Sequence, residues 1–162
     1  MKLTQDRVCE LFDYREDGNL IWKVRTSNRV NVGSVAGFRR KTGYLEVRVD
    51  GKLYLGHRLI YLLHHGSLPS EVDHIDNDQW NNRIENLREA TSSQNKCNRG
   101  KERCNTSGYK GVYWHAQSKR WHASIVFQRK KTSLGLFDRP EDAHAAYAEA
   151  AKRLHGEFAR AA

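Results

Sequence analysis

The apolar periodicity of this 162-residue chain stops between Thr91 and Gly111, and that interruption constrains the fold more than any other feature. Across it Ser92, Ser93, Asn95, Asn98, Gly100, Asn105, Thr106, Ser107 and Gly108 mix with Lys96, Arg99, Lys101 and Arg103. That composition describes a short helix running into a basic, flexible connector. A chain so divided builds two small cores in preference to one. The expected domains are 1–98, with its central motif over 57–98, a basic linker over 99–107, and 108–160.

Charge separates the two parts further. The chain has 28 Lys and Arg against 19 Asp and Glu, a formal net charge of +9. Up to Ser107 there are 18 basic and 14 acidic residues, and after it 10 and 5, so the last third of the chain holds more than half of the surplus. Lys110, Lys119, Arg120, Arg129, Lys130 and Lys131 fall in a stretch without a single Asp or Glu, interleaved with Tyr109, Tyr113, Trp114 and Trp121. A solvated face seldom excludes acids so completely. Basic side chains alternating with aromatics suit a nucleic-acid surface.

Composition excludes several other classes. At 38% hydrophobic residues the chain is globular, and no run of about 18 apolar residues is available to cross a membrane. Met1 to Glu10 alternate charged and apolar groups, unlike a signal peptide. Cys9, Cys97 and Cys104 are odd in number, and the spacing of the last two is not that of a metal knuckle; reduced thiols in a cytosolic protein are expected.

In the first part, Leu20, Ile21 and Trp22 follow the turn signal Asp17-Gly18 and read as a strand. Leu45, Val47 and Val49 alternate with Glu46 and Arg48 before Asp50-Gly51, which predicts that Tyr44 to Val49 pairs with Lys52 to Leu55 in a hairpin. His57 to His65 changes to a helical period and is closed by Gly66. There follow Asp73, His74, Asp76, Asn77, Asp78, Asn81, Asn82, Glu85, Asn86, Arg88 and Asn95. Carboxylate and amide oxygens suit Mg²⁺ or Mn²⁺, and a neutral imidazole takes a proton near neutral pH. On a strand, Asp73 and His74 point to opposite faces. Taken alone, Asp76-Asn77-Asp78 is also compatible with a turn, whereas an EF-hand calcium loop lacks its Gly and Glu at the required positions.

Asp73-His74, followed by Asn86-Leu87-Arg88 and then Asn95, resembles the His-Asn-His (HNH) endonucleases, especially their homing-endonuclease branch often encoded by phages. The resemblance covers roughly 43–95. It implies a ββα-metal unit in which His74 is the general base that activates water and Asp73 and Asn95 hold one divalent metal ion, Mg²⁺ or Mn²⁺. It also implies that Asn86 braces the loop and so orients His74. The commoner motif ends in a second histidine; Asn95 in its place favours Mg²⁺ over zinc or nickel.

The second part shows three short strands within Tyr109 to Trp114, Arg120 to Phe127 and Thr132 to Phe137. A helix then runs from Pro140 to Gly156, with Ala143, Ala146, Tyr147, Ala150 and Leu154 on one stripe. Tyr109-Lys110-Gly111-Val112, Leu134-Gly135-Leu136-Phe137 and Glu141-Asp142-Ala143 with Ala146-Tyr147 are similar to the Apetala/ethylene-response-factor DNA-binding domain, known from plants and also found fused to HNH nucleases. By that resemblance Lys110, Tyr113, His115, His122, Ser124, Val126, Lys131 and Ser133 would face the DNA groove. Lys110, Arg120, Arg129, Lys130 and Lys131 suit phosphate contacts.

The expectation is therefore an α+β protein with a β-rich N-terminal region carrying the ββα-metal unit, then a three-stranded antiparallel sheet packed on one helix. It would act as a monomeric, metal-dependent endonuclease on double-stranded DNA, with no small-molecule organic cofactor and no membrane association. The rival expectation is a DNA-binding regulator whose nuclease unit is inactive. An RNA-directed nuclease also fits the charge, but no RNA-specific motif supports it.

Overall fold

The computed structural model describes residues 3–101 and 105–160, so Cys104 and the middle of the expected linker lie outside the described residues. The chain forms two compact units divided between Thr91 and Ser92. Several small antiparallel sheets and four helices make up the described residues.

The first unit opens with helix α1 (Gln5–Leu11), whose first turn is capped by the Thr4 hydroxyl accepting from Arg7 N at 3.3 Å. Strands β1 (Phe12–Arg15) and β2 (Asn19–Trp22) form a hairpin with Phe12 opposite Trp22. β3 (Phe38–Arg39), β4 (Leu45–Val49) and β5 (Lys52–Leu55) form a sheet in that order, and the expected Asp50-Gly51 hairpin is present with Val49 opposite Lys52. Helix α2 (Gly56–His65) ends at Gly66. Val8, Leu11, Phe12, Leu20, Leu45, Val47, Val49, Leu59 and Ile60 bury almost completely in one cluster. Each such side chain contributes about 1.5–3 kcal/mol on burial. Alternation alone would send Glu46 to solvent, yet it is buried too, with Arg40 Nε 2.7 Å from its Oε1.

This core supports the last hairpin of the unit. β6 (Glu71–His74) pairs antiparallel with β7 (Leu87–Ala90), and Val72 and Leu87 join the main cluster. Between them the long loop from Ile75 to Asn86 lies outside both strands.

In the second unit, helix α3 (Ser92–Asn98) packs near the short turn of 3-10 helix at Gly156–Phe158. Strands β8 (Val112–His115), β9 (Arg120–Phe127) and β10 (Lys130–Phe137) form a sheet with β9 in the centre. Helix α4 (Pro140–His155) covers one face. Ala143, Tyr147, Ala150 and Ala151 meet Val112, Ala123 and Ile125, while Trp121 packs at the border of the same core. The stripe differs from the expected one in that Ala151 is buried and Ala146 and Leu154 are only half-buried. The β9–β10 connection is a two-residue turn in which Gln128 and Arg129 both have positive φ, 49° and 66°. Such a turn matches the twist of the strands, although glycine and asparagine adopt it more readily.

Gly111 makes the closest approach in this unit. Its φ is +72°, and a Cβ there would lie 2.2 Å from the Tyr147 ring and 2.9 Å from the Ser124 carbonyl oxygen. Burial pushes the Tyr147 phenol up to about 12, as fits a ring enclosed by these strands. Gly111→Ala is expected to destabilise the second unit by about 2–4 kcal/mol, measured by urea unfolding. Unchanged stability would contradict the tight seating of Tyr147.

Candidate active site

The β6–β7 hairpin brings Asp73, His74 and Asn86 into one small region of the first unit. Asp73 lies directly opposite Arg88, and both are on the same face because cross-strand partners share a side of the sheet. Arg88 donates from Nε at 3.0 Å and Nη2 at 2.9 Å to Asp73 Oδ2. The Asp73 side chain is 4% exposed and that of Arg88 15%. A carboxylate so deeply buried is tolerable because the guanidinium is beside it.

His74 projects to the other face and is also buried, at 5% exposure. Its ring centroid lies 4.8 Å from that of His57 and 6.3 Å from that of Tyr44. Its Nε2 is 2.8 Å from Asn82 Oδ1. Burial, with lesser contributions from His74 and Arg58, pushes His57 down to about 3, so this neighbour is neutral and places no charge against the His74 ring.

Asn86 is tied into the loop by its side chain. Its amide donates to Asp76 Oδ1 and to the Asn81 carbonyl oxygen, both at 2.8 Å, and accepts from Asp76 N at 3.1 Å. Its carbonyl accepts from Ile75 N at 2.9 Å, the residue after His74. Asp76 also accepts from Asp78 N and Asn81 Nδ2 at 2.8 and 2.7 Å. Burial works to raise the Asp76 carboxyl, but these N–H donors outweigh it and hold the group below the ordinary range. Asp76-Asn77-Asp78 is thus a turn built from side-chain-to-backbone bonds, with Asn77 at φ 62°.

Asn95 lies half-buried on α3, in the second unit. Among the described residues no group of three or more His, Cys, Asp or Glu side chains is placed to hold a metal ion. Of the two expected ligands, Asp73 offers a carboxylate and Asn95 an amide oxygen. Such a set suits a hard cation that keeps water and phosphate oxygens as its remaining ligands.

The other expected contact residues lie in the second unit. On the face of the sheet away from α4, Tyr113 stands opposite His122. The Tyr113 hydroxyl is hydrogen-bonded to His122 Nδ1, and His122 Nε2 is 2.7 Å from Ser133 Oγ. Lys131 Nζ sits over the Tyr113 ring, 4.9 Å from its centroid. Burial, then the Lys131 and His115 charges, pull His122 below its ordinary value. His115 Nδ1 is 2.7 Å from Ser118 Oγ. Arg129, Lys130 and Lys131 are exposed, and Arg120 grips the exposed Asp138 carboxylate through Nε at 2.8 Å and Nη2 at 3.1 Å. Two residues stand apart. Ser124 is 8% exposed, and Lys110 Nζ donates at 2.6 Å to the carbonyl oxygens of both Cys97 and Arg99, closing the C-terminal end of α3.

Sequence reasoning assigned no chemistry to His57 and singled out no role for Asn82. The Asn81-Asn82 pair in the loop was the available signal, but only the tertiary structure shows which of the two turns inward.

A buried acid and a buried imidazole thus occupy adjacent positions of β6, and Asn86, just before β7, braces the loop between the two strands. The HNH endonuclease family matches residues 54–97, which contain all of this hairpin. The chain therefore carries an HNH endonuclease domain over these residues. It is 33% identical over 89 residues to "Protein 3.8" of Escherichia phage T7, an alignment covering 55% of this chain and 73% of that one. It is 37% identical over 122 residues to "Uncharacterized HNH endonuclease L560" of Acanthamoeba polyphaga mimivirus, covering 74% of this chain and 62% of the relative's length. The second alignment is longer than either unit, so the likeness extends into both. No solved structure matches. Among the described residues no helix is long and apolar enough to cross a membrane.

Removing one partner of a buried ion pair leaves a charge without compensation. Arg88→Met is expected to lower the stability of the first unit by about 3 kcal/mol in EDTA, and Asp73→Asn in the same chain to restore part of it. Urea unfolding of the single and double variants checks the coupling; additive losses would show that the pair contributes nothing.

Proposed function

We propose that this protein is a metal-dependent DNA endonuclease in which the first unit cuts and the second supplies binding. The observation that carries the reading is the buried Asp73-His74 pair on β6, with Arg88 compensating the acid and Asn86 bracing the adjoining loop.

His74 takes a proton from the attacking water, since a neutral imidazole at the reaction centre is suited to that task near neutral pH. Neutral His57 keeps a second positive charge away from the imidazolium that forms. By the family resemblance Asp73 and Asn95 would hold a divalent ion, Mg²⁺ or Mn²⁺, which would supply charge stabilisation for the phosphate and its leaving oxygen. Asn86 fixes the course of the chain immediately after His74 through the Ile75 N–H and the Asp76 side chain. Arg88 holds the Asp73 carboxylate in place through two hydrogen bonds to Oδ2.

The domain reading is an HNH unit over 1–98, a linker over 99–107 and a DNA-binding module over 108–160 like the Apetala/ethylene-response-factor domain. Binding energy from the exposed sheet face would hold a duplex for a catalytic unit that has little surface of its own. Tyr113, His115, His122, Lys131 and Ser133 form that face, and Arg120, Arg129 and Lys130 border it. With its ammonium on α3, Lys110 supports the module from behind. The protein acts as a monomer in the cytoplasm on this reading.

The test is a supercoiled-plasmid assay with Mg²⁺ or Mn²⁺. Wild type is expected to nick or linearise the plasmid, EDTA to stop it, and His74→Ala to abolish cutting while DNA binding persists. Full activity of His74→Ala, or activity undiminished by EDTA, would overturn the mechanism. Binding without any cleavage by wild type would favour a regulatory protein with an inactive nuclease unit.

A separate measurement addresses the second unit. Lys130→Ala with Lys131→Ala is expected to weaken duplex binding and to reduce the slope of log K against log salt by about two, since each lysine displaces about one counterion. An unchanged slope would remove this face from the DNA interface.

A further inference from the structure

We infer that Asn82 is a positioning residue for His74, and that the tip of the β1–β2 hairpin holds Asn82 in place through Gly18. The inference rests on the reading of His74 as the base of a nuclease.

The contact is specific. Asn82 is 1% exposed and presents Oδ1 at 2.8 Å to His74 Nε2. An amide oxygen can only accept, so Nε2 must carry the proton of the neutral ring, and the lone pair that receives a proton is on Nδ1. Asn82 thereby selects which nitrogen of His74 is the base. Its own Nδ2 is buried without a hydrogen-bond partner. Half of this amide is therefore desolvated with nothing in return. The oxygen is the part of the residue that the site uses.

Asn82 lies on a loop, and its position is set by what clamps that loop. Gly18, at φ +83° in the turn between β1 and β2, lies so close that a Cβ would be 2.7 Å from both Asn82 C and Arg83 N. From the same hairpin the Tyr14 hydroxyl accepts from Ile84 N at 3.0 Å. On the other side the Asn81 carbonyl oxygen is held by Asn86 Nδ2 and the Asn81 amide by Asp76. The Asn82 backbone is fixed from both directions. The N-terminal hairpin, which contributes no residue to the chemistry, thus sets the orientation of the imidazole through one glycine and one amide. Orienting groups behind a catalytic histidine commonly act in this way, fixing tautomer and ring plane together.

The test uses the full chain labelled with ¹⁵N. Two-bond ¹H–¹⁵N correlation of the imidazoles at about pH 8, above the ordinary histidine range, reports which nitrogen is protonated. His74→Gln identifies the His74 signals. In wild type the proton is expected on Nε2. Asn82→Asp, whose carboxylate also accepts, is expected to keep it there, and Asn82→Leu, close in volume, to lose that preference. In the plasmid assay Asn82→Leu is expected to lower kcat about ten- to hundredfold with KM for DNA within about twofold. Gly18→Ala is expected to shift the tautomer and kcat in the same direction by less. A proton on Nδ1 in wild type, an unchanged tautomer in Asn82→Leu, or a loss confined to KM would each overturn the inference. The two readings fail separately. A wild type that shows the expected tautomer but never cuts DNA sinks the nuclease reading, and a cutting enzyme with the wrong tautomer sinks only this one.

Discussion

The ion pair between Asp73 and Arg88 is the contact on which the candidate site depends. It lets a carboxylate sit at 4% exposure in the middle of a hairpin whose opposite face carries a buried imidazole. Without the guanidinium the buried acid would lack compensation, and a strand that moved toward water to relieve it would displace His74, its neighbour on the same four-residue strand. The loop bonds around Asp76 and Asn86 are short and directional, and they add geometry to a place where the ion pair has already made burial possible.

Much of the architecture was legible because local signals agreed with tertiary need. Asp50-Gly51 between alternating runs specified the β4–β5 hairpin, the change of period at His57 specified α2, and Pro140 and Gly156 bracketed α4. Where local signals were weak, so was the reading. β3 is two residues long, too short for a pattern, and β6 and β7 are joined by a loop with no turn signature of its own length. The grouping of α3 with the second unit was also hidden, because its tie is the Lys110 ammonium, 13 residues away from Cys97 in sequence. Glu46 shows the converse, an alternation that correctly predicts a strand and wrongly predicts an exposed acid, since Arg40 makes burial affordable.

Within the site, Asp73, His74 and Asn86 could be named because they share a motif with a family. Asn82 and His57 could not, since their importance lies in being enclosed. Nothing in a run of asparagines distinguishes the one that turns inward, and a histidine at the start of a helix reads the same whether it is solvated or buried. The structure separates them by burial: Asn81 is half-buried and bonded to Asp76 near the surface, whereas Asn82 is sealed against His74.

The turn at Gln128 and Arg129 carries a consequence for the balance between shape and charge. Both residues occupy the left-handed region, where side chains other than glycine and asparagine cost roughly 1 kcal/mol each. Asn-Gly would relax the turn at once, but it would also remove the guanidinium from the outermost point of the β9–β10 hairpin. The protein keeps a positive charge at the cost of an easier bend, so a more stable version of this hairpin would also be a less basic one.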